Sequence, residues 1–436
     1  MGQMLGGSLL KFKKLRFHRV FLILLVAAAA SVLCPSSVAG RGLVRDSQFP
    51  DYTADPDLIE APSGIVVDIN TGAVLFEKNA LKQYGPASLS KIATLTVAYQ
   101  ELDEGEVDSD DVVTVSERAW AANPNLAGSS LMFLEVDDEL SFSRLLEGLI
   151  IPSGNDAAIA LAEHMHGSEQ NTVRRMNQLA DRLNMRDTRF ATVHGLPAGQ
   201  KQQTTARDIA KLTRHLCLHY PQALEITSQR SFQYGQVQTQ YNRNNLLERD
   251  PRVVGLKTGW TSGSGYHLVG VAQDNGEFYA AVVMGIGAGD EDMSPQVGFQ
   301  TREDDAHALL DWAFDVFAQQ QVDSEDLEPT GVPVFKGDKR QIDLHIGEDI
   351  PSITVPEGTE DRLQYIVFAD KPLEAPLHAD APVGWVAVKW QTEDEDNPLE
   401  LERWDLYPRE DIGRGGWWRV VWDSIVLFFR GLSADN

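Results

Sequence analysis

Gly85-Pro86-Ala87-Ser88-Leu89-Ser90-Lys91-Ile92-Ala93-Thr94 places a serine and a lysine three residues apart. Pro86 and the helix formers after Lys91 predict a helix opened by Ser88, and an i, i+3 pair on a helix shares one face. A hydroxyl and an amine held that way lie within hydrogen-bond reach, as a nucleophile and its base must. The spacing alone decides little, because Ser8-Leu9-Leu10-Lys11 repeats it near the N-terminus. What separates the two copies has to lie elsewhere in the chain.

The N-terminal copy sits in a segment of distinct composition. Lys11, Lys13, Lys14, Arg16 and Arg19 precede an apolar run at 20–33, and Ser37-Val38-Ala39 follows before Gly40. These are the three parts of an export signal. The run of 14 residues is shorter than the roughly 20 a spanning helix needs. Residues 1–39 are therefore expected to be a signal peptide. Ser31-Val32-Leu33-Cys34 makes a poor lipoprotein box because Leu33 is bulky. Loss of the signal removes five basic and no acidic residues, so the formal charge of -26 becomes -31. That acidic excess argues against nucleic acid as a partner and favours solubility. Cys217, between Leu216 and Leu218, is then the remaining thiol. It has no internal partner and reads as a core residue.

The rest of a 436-residue chain suggests two domains. Ile65-Val66-Val67-Asp68-Ile69 and Ala73-Val74-Leu75-Phe76 flank Asn70-Thr71-Gly72 as a hairpin. Stretches 266–272 and 278–286 flank Asp274-Asn275-Gly276 as a second one. Between them lie helical patterns, notably 156–164 and 173–183, and a helix over 303–318 follows. Strands at both ends with helices between predict an α+β domain, one antiparallel sheet flanked by helices, over 40–320. A polar, acidic linker at 321–331 leads to short β-type runs such as Tyr365-Ile366-Val367-Phe368 and Gly384-Trp385-Val386-Ala387-Val388. These predict a small all-β sandwich over 332–410.

Residues 411–436 form the last element. At 100° per residue, Arg419, Asp423 and Arg430 fall within about 40° of one another on a helix over 414–430. Trp417, Trp418, Trp422, Phe428 and Phe429 lie on the remaining circumference. Spanning a bilayer would place Arg419 and Asp423 in hydrocarbon at roughly 2.5 to 3.5 kcal/mol each. Lying in the interface keeps them wet and uses the tryptophans at headgroup level, so an in-plane membrane anchor is expected. A helix docked on its own β domain or at an oligomer contact is the alternative, and a homodimer is left open.

Two further motifs give the Ser88 pair its context. Pro152-Ser153-Gly154-Asn155-Asp156 supplies Ser-x-Asn at a loop-to-helix junction, and Leu256-Lys257-Thr258-Gly259 supplies Lys-Thr-Gly before the second hairpin. Each alone reads as a helix cap or a strand running into a turn. Their order, with 65 residues from Ser88 to Ser153 and 104 from Ser153 to Lys257, makes coincidence a poor account. The trio resembles the penicillin-recognising serine enzymes. Ser129-Ser130-Leu131-Met132-Phe133-Leu134, Thr192-Val193-His194-Gly195-Leu196 and Asn242-Arg243-Asn244-Asn245-Leu246-Leu247 resemble the D-alanyl-D-alanine carboxypeptidases of the penicillin-binding protein 5 and 6 type, peptidase family S11. So do Pro333-Val334-Phe335-Lys336-Gly337-Asp338, Glu374-Ala375-Pro376-Leu377 and the terminal helix. The fold implied is that of β-lactamases and transpeptidases.

The resemblance implies a serine peptidase that removes the terminal D-alanine from peptidoglycan pentapeptide stems and is acylated by β-lactams. Ser88 would be the nucleophile, and Lys91 the base once burial and the neighbouring cation Lys257 lower its pKa. Ser153 would relay a proton to the leaving group, and Asn155 would hold Lys91 and the substrate amide. Lys257 and Thr258 would bind the terminal carboxylate, while Gly259 would let substrate lie along the strand. The oxyanion hole would use the amides of Ser88 and Trp260. Relatives often carry histidine where Trp260 stands, a departure expected to alter substrate preference more than the reaction. Arg243 and Arg302 match arginines near the site, with surface salt bridges as their alternative. His194 is assigned a structural role. No metal and no cofactor is required. The implied location is the periplasmic face of the inner membrane. A DD-endopeptidase, a β-lactamase and a non-catalytic penicillin-binding scaffold are the alternatives. The Glu-x-x-Leu-Asn setting of class A deacylation is missing between Asp156 and Leu256, and the complete motif set counts against a scaffold.

Overall fold

The computed structural model describes residues 49, 52, 54–197, 199, 201–322, 327–347, 352–369, 372–394 and 397–434. The expected signal peptide lies outside them, as do 323–326 of the expected linker. The chain divides into two compact units between Phe317 and Ala318, just before the expected boundary at 320.

In the first unit, β1 (Ser63–Asp68) and β2 (Val74–Lys78) form the first hairpin. Two short hairpins follow, β3 (Val112–Thr114) with β4 (Glu139–Ser141), and β5 (Ser231–Phe232) with β6 (Gln240–Tyr241). Then come β7 (Val253–Thr261), β8 (Gly265–Asp274) and β9 (Glu277–Ile286). The five long strands build one antiparallel sheet in the order β2-β1-β9-β8-β7. The two ends of the domain thus meet side by side, as expected, and β7 is an open edge.

The central strands are buried and mainly apolar over most of their length because helices cover both faces. Ile65, Val67, Val269, Val271, Val282 and Met284 point into a core shared with α1 (Ser90–Glu104), α2 (Phe142–Ile150), α3 (Asn155–His166), α4 (Glu169–Arg182) and α5 (Ala206–His219). Cys217 belongs to that core, and burial pushes its thiol up to about 12. After the short α6 (Ala223–Thr227) and α7 (Leu246–Arg249), α8 (Pro295–Val316) covers the other face. Gly270 lies under Leu310 and Ala306 there. Helix α8 begins at Pro295 rather than at the expected 303. Ser294 caps it and Pro295 opens it, a start signal the apolar pattern hides because Val297 and Phe299 in the first turns are exposed.

Strand β10 (Phe317–Gln320) leads from Phe317, the last residue of the first unit, into the second. Strands β11 (Val332–Phe335), β12 (Gln341–Ile342), β13 (Leu344–Ile346), β14 (Ile353–Pro356), β15 (Leu363–Ala369), β16 (Leu373–Glu374), β17 (Gly384–Trp390) and β18 (Leu399–Pro408) follow. Four of them form a sheet in the order β13-β18-β17-β15, and three a second sheet in the order β12-β11-β16. The last element is α9 (Trp417–Ala434). Its polar stripe faces its own β domain. Asp423 accepts from the Lys336 amide at 2.6 Å, and Arg419 donates to the carbonyls of Val334 and Lys339 at 3.3 and 3.0 Å. The helix thus docks on its own β domain through Arg419 and Asp423, as the alternative expected, and leaves its apolar side outward. Trp417, Trp418, Trp422, Phe428 and Phe429 are all more than 60% exposed. Among the described residues no helix is long and apolar enough to cross a membrane.

Candidate active site

Ser88 lies in a 3-10 turn, Ala87–Leu89, that runs straight into α1, rather than on the helix proper. The turn is entered through Ala87 at φ 47°, a left-handed conformation that is strained for a residue with a Cβ. Glycines let the chain close around it. Gly195, at φ 86°, packs so tightly that a Cβ would stand 1.7 Å from the Ala87 carbonyl oxygen. A Cβ on Gly259 would point at Ala87 and Leu89, at 3.3 and 3.4 Å. Gly259 therefore serves close approach of β7 to the Ser88 turn, a packing role beside the expected one toward substrate.

Helix α1 is buried all round from Ser90 to Tyr99, so Lys91 is fully buried while Ser88, just ahead of it, is only half-buried. The Lys91 amine lies 2.6 Å from Asn155 Oδ1, 3.2 Å from Ser88 Oγ and 3.3 Å from the His194 carbonyl oxygen. Two of these partners can only accept, and the third can also donate. A neutral amine has two N–H donors and one lone pair, so this arrangement leaves the lone pair for the Ser88 hydroxyl. Burial lowers the Lys91 pKa to about 7, and nearby Asp156 pulls it back upward. Of the two causes expected to lower it, burial and the Lys257 cation, burial is the one that acts here.

Ser153 and Asn155 stand at the start of α3. Ser153 is buried at φ 65°, and its Oγ has no hydrogen-bond partner among the described residues. The Asn155 amide donates to the Ser130 carbonyl at 2.9 Å. Asp156, which the motif pattern passed over, fixes this wall. It accepts from the amides of Met132, Phe133, Leu134 and Ala157 at 2.8, 2.8, 3.1 and 2.9 Å. Its only sequence signal was an acid in the first turn of a helix. Burial raises its pKa, against the pull of those four amides.

The opposite wall is β7. Lys257 and Thr258 are buried, and the Lys257 amine donates to the Thr258 carbonyl at 3.0 Å. Burial, then Lys91, Arg302 and Arg243, lower the Lys257 pKa well below that of a free lysine. Arg302, on α8, is buried rather than on the surface. It donates to the Arg243 carbonyl at 3.2 Å and stacks over Phe299 at 4.8 Å, and its Nε has no partner among the described residues. Its nearest carboxylate, Glu303, is 3.9 Å away, and burial lowers its pKa to about 10. Arg243 is exposed and forms no ion pair among the described residues. Arg243 thus lacks the alternative salt bridge among the described residues, while Arg302 keeps a long, buried one to Glu303. Four basic groups converge in a strongly acidic protein, the electrostatics of an anion site. Trp260 is half exposed at the rim, with its ring 5.8 Å from that of Tyr266.

The family model described as D-alanyl-D-alanine carboxypeptidase matches residues 51–288, which hold all three motifs. The chain belongs to the D-alanyl-D-alanine carboxypeptidases. A second model, the C-terminal domain of penicillin-binding protein 5, matches 317–411. D-alanyl-D-alanine carboxypeptidase DacC of Escherichia coli is 36% identical over 403 residues, 89% of this chain and 96% of that protein. DacD of Salmonella typhimurium is 35% identical over 371 residues, 84% of this chain and 90% of that one. Among solved structures, penicillin binding protein 5 from Haemophilus influenzae has TM-score 0.71 at 32% identity, covering 82% of this chain and 98% of that one.

Within this carboxypeptidase, His194 faces Lys91 only through its carbonyl. Its Nδ1 accepts from the Leu196 amide at 3.1 Å, and burial, then Lys91, lowers its pKa to about 3, so the ring stays neutral. One cluster among the described residues has the composition of a metal site, Asp250, His307 and Asp311. Arg252 bonds both of its carboxylates, which gives them a cation already.

Proposed function

We propose that the chain is an exported serine D-Ala-D-Ala carboxypeptidase acting at a membrane face. Ser88 Oγ attacks the carbonyl of the penultimate D-alanine and its proton passes to Lys91. The amide bond breaks, Ser153 relays a proton to the departing D-alanine, and water hydrolyses the Ser88 ester. A β-lactam acylates the same oxygen by ring opening, and its leaving nitrogen stays tethered. Lys257, Thr258 and Arg302 hold the terminal carboxylate, with Arg243 nearby. An arriving carboxylate restores the positive charge that burial disfavours on Lys257. The oxyanion of the tetrahedral intermediate is taken by the amides of Ser88 and Trp260.

The observation that carries this reading is the buried Lys91 amine, held by two obligate acceptors with its third direction toward Ser88. A base must be neutral to work, and Lys91 titrates near 7. Carboxypeptidase activity is therefore expected to be low in acid and to rise through about pH 7. Incubating residues 40–436 with a pentapeptide ending in D-Ala-D-Ala and assaying free D-alanine across pH tests it. Intact β-lactam acylation without D-alanine release would point to a penicillin-binding scaffold instead.

The outward aromatic face of α9 supports an in-plane anchor. Ending the chain at Ile412 is expected to abolish co-sedimentation with anionic lipid vesicles and to leave hydrolysis of a soluble pentapeptide unchanged. Sedimentation that persists would take α9 out of the anchoring role.

A further inference from the structure

Arg302, proposed above to hold the terminal carboxylate, has few polar contacts that fix its plane. It is 4% exposed, donates to the Arg243 carbonyl at 3.2 Å and reaches Glu303 only at 3.9 Å. Its Nε is buried with no hydrogen-bond partner among the described residues. A guanidinium reads a carboxylate through a planar fork, so a plane turned away forfeits the paired bonds. Phe299, one turn earlier on α8, supplies a further constraint. The guanidinium lies over its ring, 4.8 Å from the centre.

Phe299 is itself braced by a row of aromatic rings. Successive residues of a strand point to opposite faces, so Thr258 and Trp260 on β7 share one face, and Tyr266 on β8 stands directly opposite Trp260. Helix α8 packs on that face, where a Cβ on Gly298 would lie 2.2 Å from the Tyr266 ring. The Tyr266 ring meets Phe299 edge-on, at 88° and 5.2 Å, and Trp260 at 34° and 5.8 Å. Tyr266 is buried, whereas Trp260 and Phe299 are half exposed at the rim. Packing in the core therefore does not account for an aromatic residue at position 299. Its contacts run from the strand that carries Thr258 to the Arg302 cation.

We propose that Phe299 is a positioning residue for substrate recognition: its ring, braced by Tyr266 and Trp260, holds the Arg302 guanidinium in the plane that pairs with the terminal carboxylate. This rests on the carboxylate role proposed above for Arg302. Without the ring, the guanidinium is free to turn toward Glu303, which would close the long ion pair and withdraw the cation from substrate. Stacking prevents that turn, because it occupies one face of the plane and leaves the N–H edges available. The ring also offsets part of the cost of keeping a charge away from water. Phe299 acts through Arg302, so its effect belongs to binding of the free carboxylate and not to the chemistry at Ser88.

The test is a double-mutant cycle on D-alanine release from a pentapeptide ending in D-Ala-D-Ala. Phe299→Leu is expected to lower kcat/KM about fivefold to tenfold, mainly through KM. Phe299→Tyr, which keeps the ring, is expected to stay within about twofold of the parent. Arg302→Met is expected to cost at least as much as Phe299→Leu, and adding Phe299→Leu to it is expected to cost nothing more. A merely structural role for Phe299 would instead give losses that multiply. Because Phe299 is half exposed, the variants are expected to fold, and Phe299→Met provides a second ring-free variant to set beside the leucine. Parent-like kinetics in both ring-free variants, or losses that multiply with Arg302→Met, overturn the positioning role while leaving Arg302 in place. Parent-like kinetics in Arg302→Met would instead remove the carboxylate role of Arg302, and the role of Phe299 with it.

Discussion

Ser88→Ala is expected to lower D-alanine release by about four orders of magnitude or more and to end covalent capture of β-lactams altogether. The second readout is the more diagnostic, because an acyl-enzyme needs a protein oxygen and no neighbouring group replaces it. Ser153 has an unpartnered hydroxyl, but Lys91 is hydrogen-bonded to Ser88 and not to Ser153. The variant is expected to fold. Ser88 is half-buried in a turn closed by main-chain contacts, and its loss leaves the Lys91 bonds to Asn155 and the His194 carbonyl in place. Reversible binding of a β-lactam is expected to persist through Lys257, Thr258 and Arg302, so equilibrium binding and mass spectrometry of the adduct give opposite answers. A covalent adduct on Ser88→Ala protein would sink the assignment of the nucleophile.

Much of this site was legible as spacing, and what escaped was packing. The three motifs announced Ser88, Lys91, Ser153, Asn155, Lys257 and Thr258 because each needs a particular side chain. Strands β8 and β9 were readable as long apolar runs around Asn275 and Gly276. Asp156 escaped because its work is done on main-chain amides of residues 132–134, which leave no trace in residue type. The packing role of Gly259 escaped for a related reason, since its neighbour is the Ser88 turn, more than 160 positions away in the chain. Arg302 matched a family position, yet its burial follows from α8 starting at Pro295, where exposed Val297 and Phe299 broke the apolar period. The polar stripe of α9 was visible as a stripe, while its partners, the amide of Lys336 and the carbonyls of Val334 and Lys339, are again main-chain atoms.

Lys91→Met separates catalysis from stability most sharply. A methionine fills nearly the same volume with no amine, so the hydroxyl of Ser88 loses its proton acceptor and D-alanine release is expected to fall by about three to four orders of magnitude. Acylation by β-lactams is expected to fall in parallel, because both reactions need the same deprotonation. Stability is expected to move little, since opposing effects nearly cancel. The wild-type protein holds an amine in a buried position where burial, partly offset by Asp156, brings its pKa down to about 7, and methionine removes that desolvation penalty. Against this, Asn155 Oδ1 and the His194 carbonyl lose their donor, at about 1 kcal/mol or more each where water cannot reach them. The net change is expected to stay within about 2 kcal/mol, or roughly 4 to 8 °C in Tm. The pH profile supplies the sharper control. The wild-type rise through about pH 7 should vanish from the residual activity of Lys91→Met, because the titrating group has gone. A variant that kept the same acidic limb would show that some other group sets it, and Lys91 would lose its role as the base.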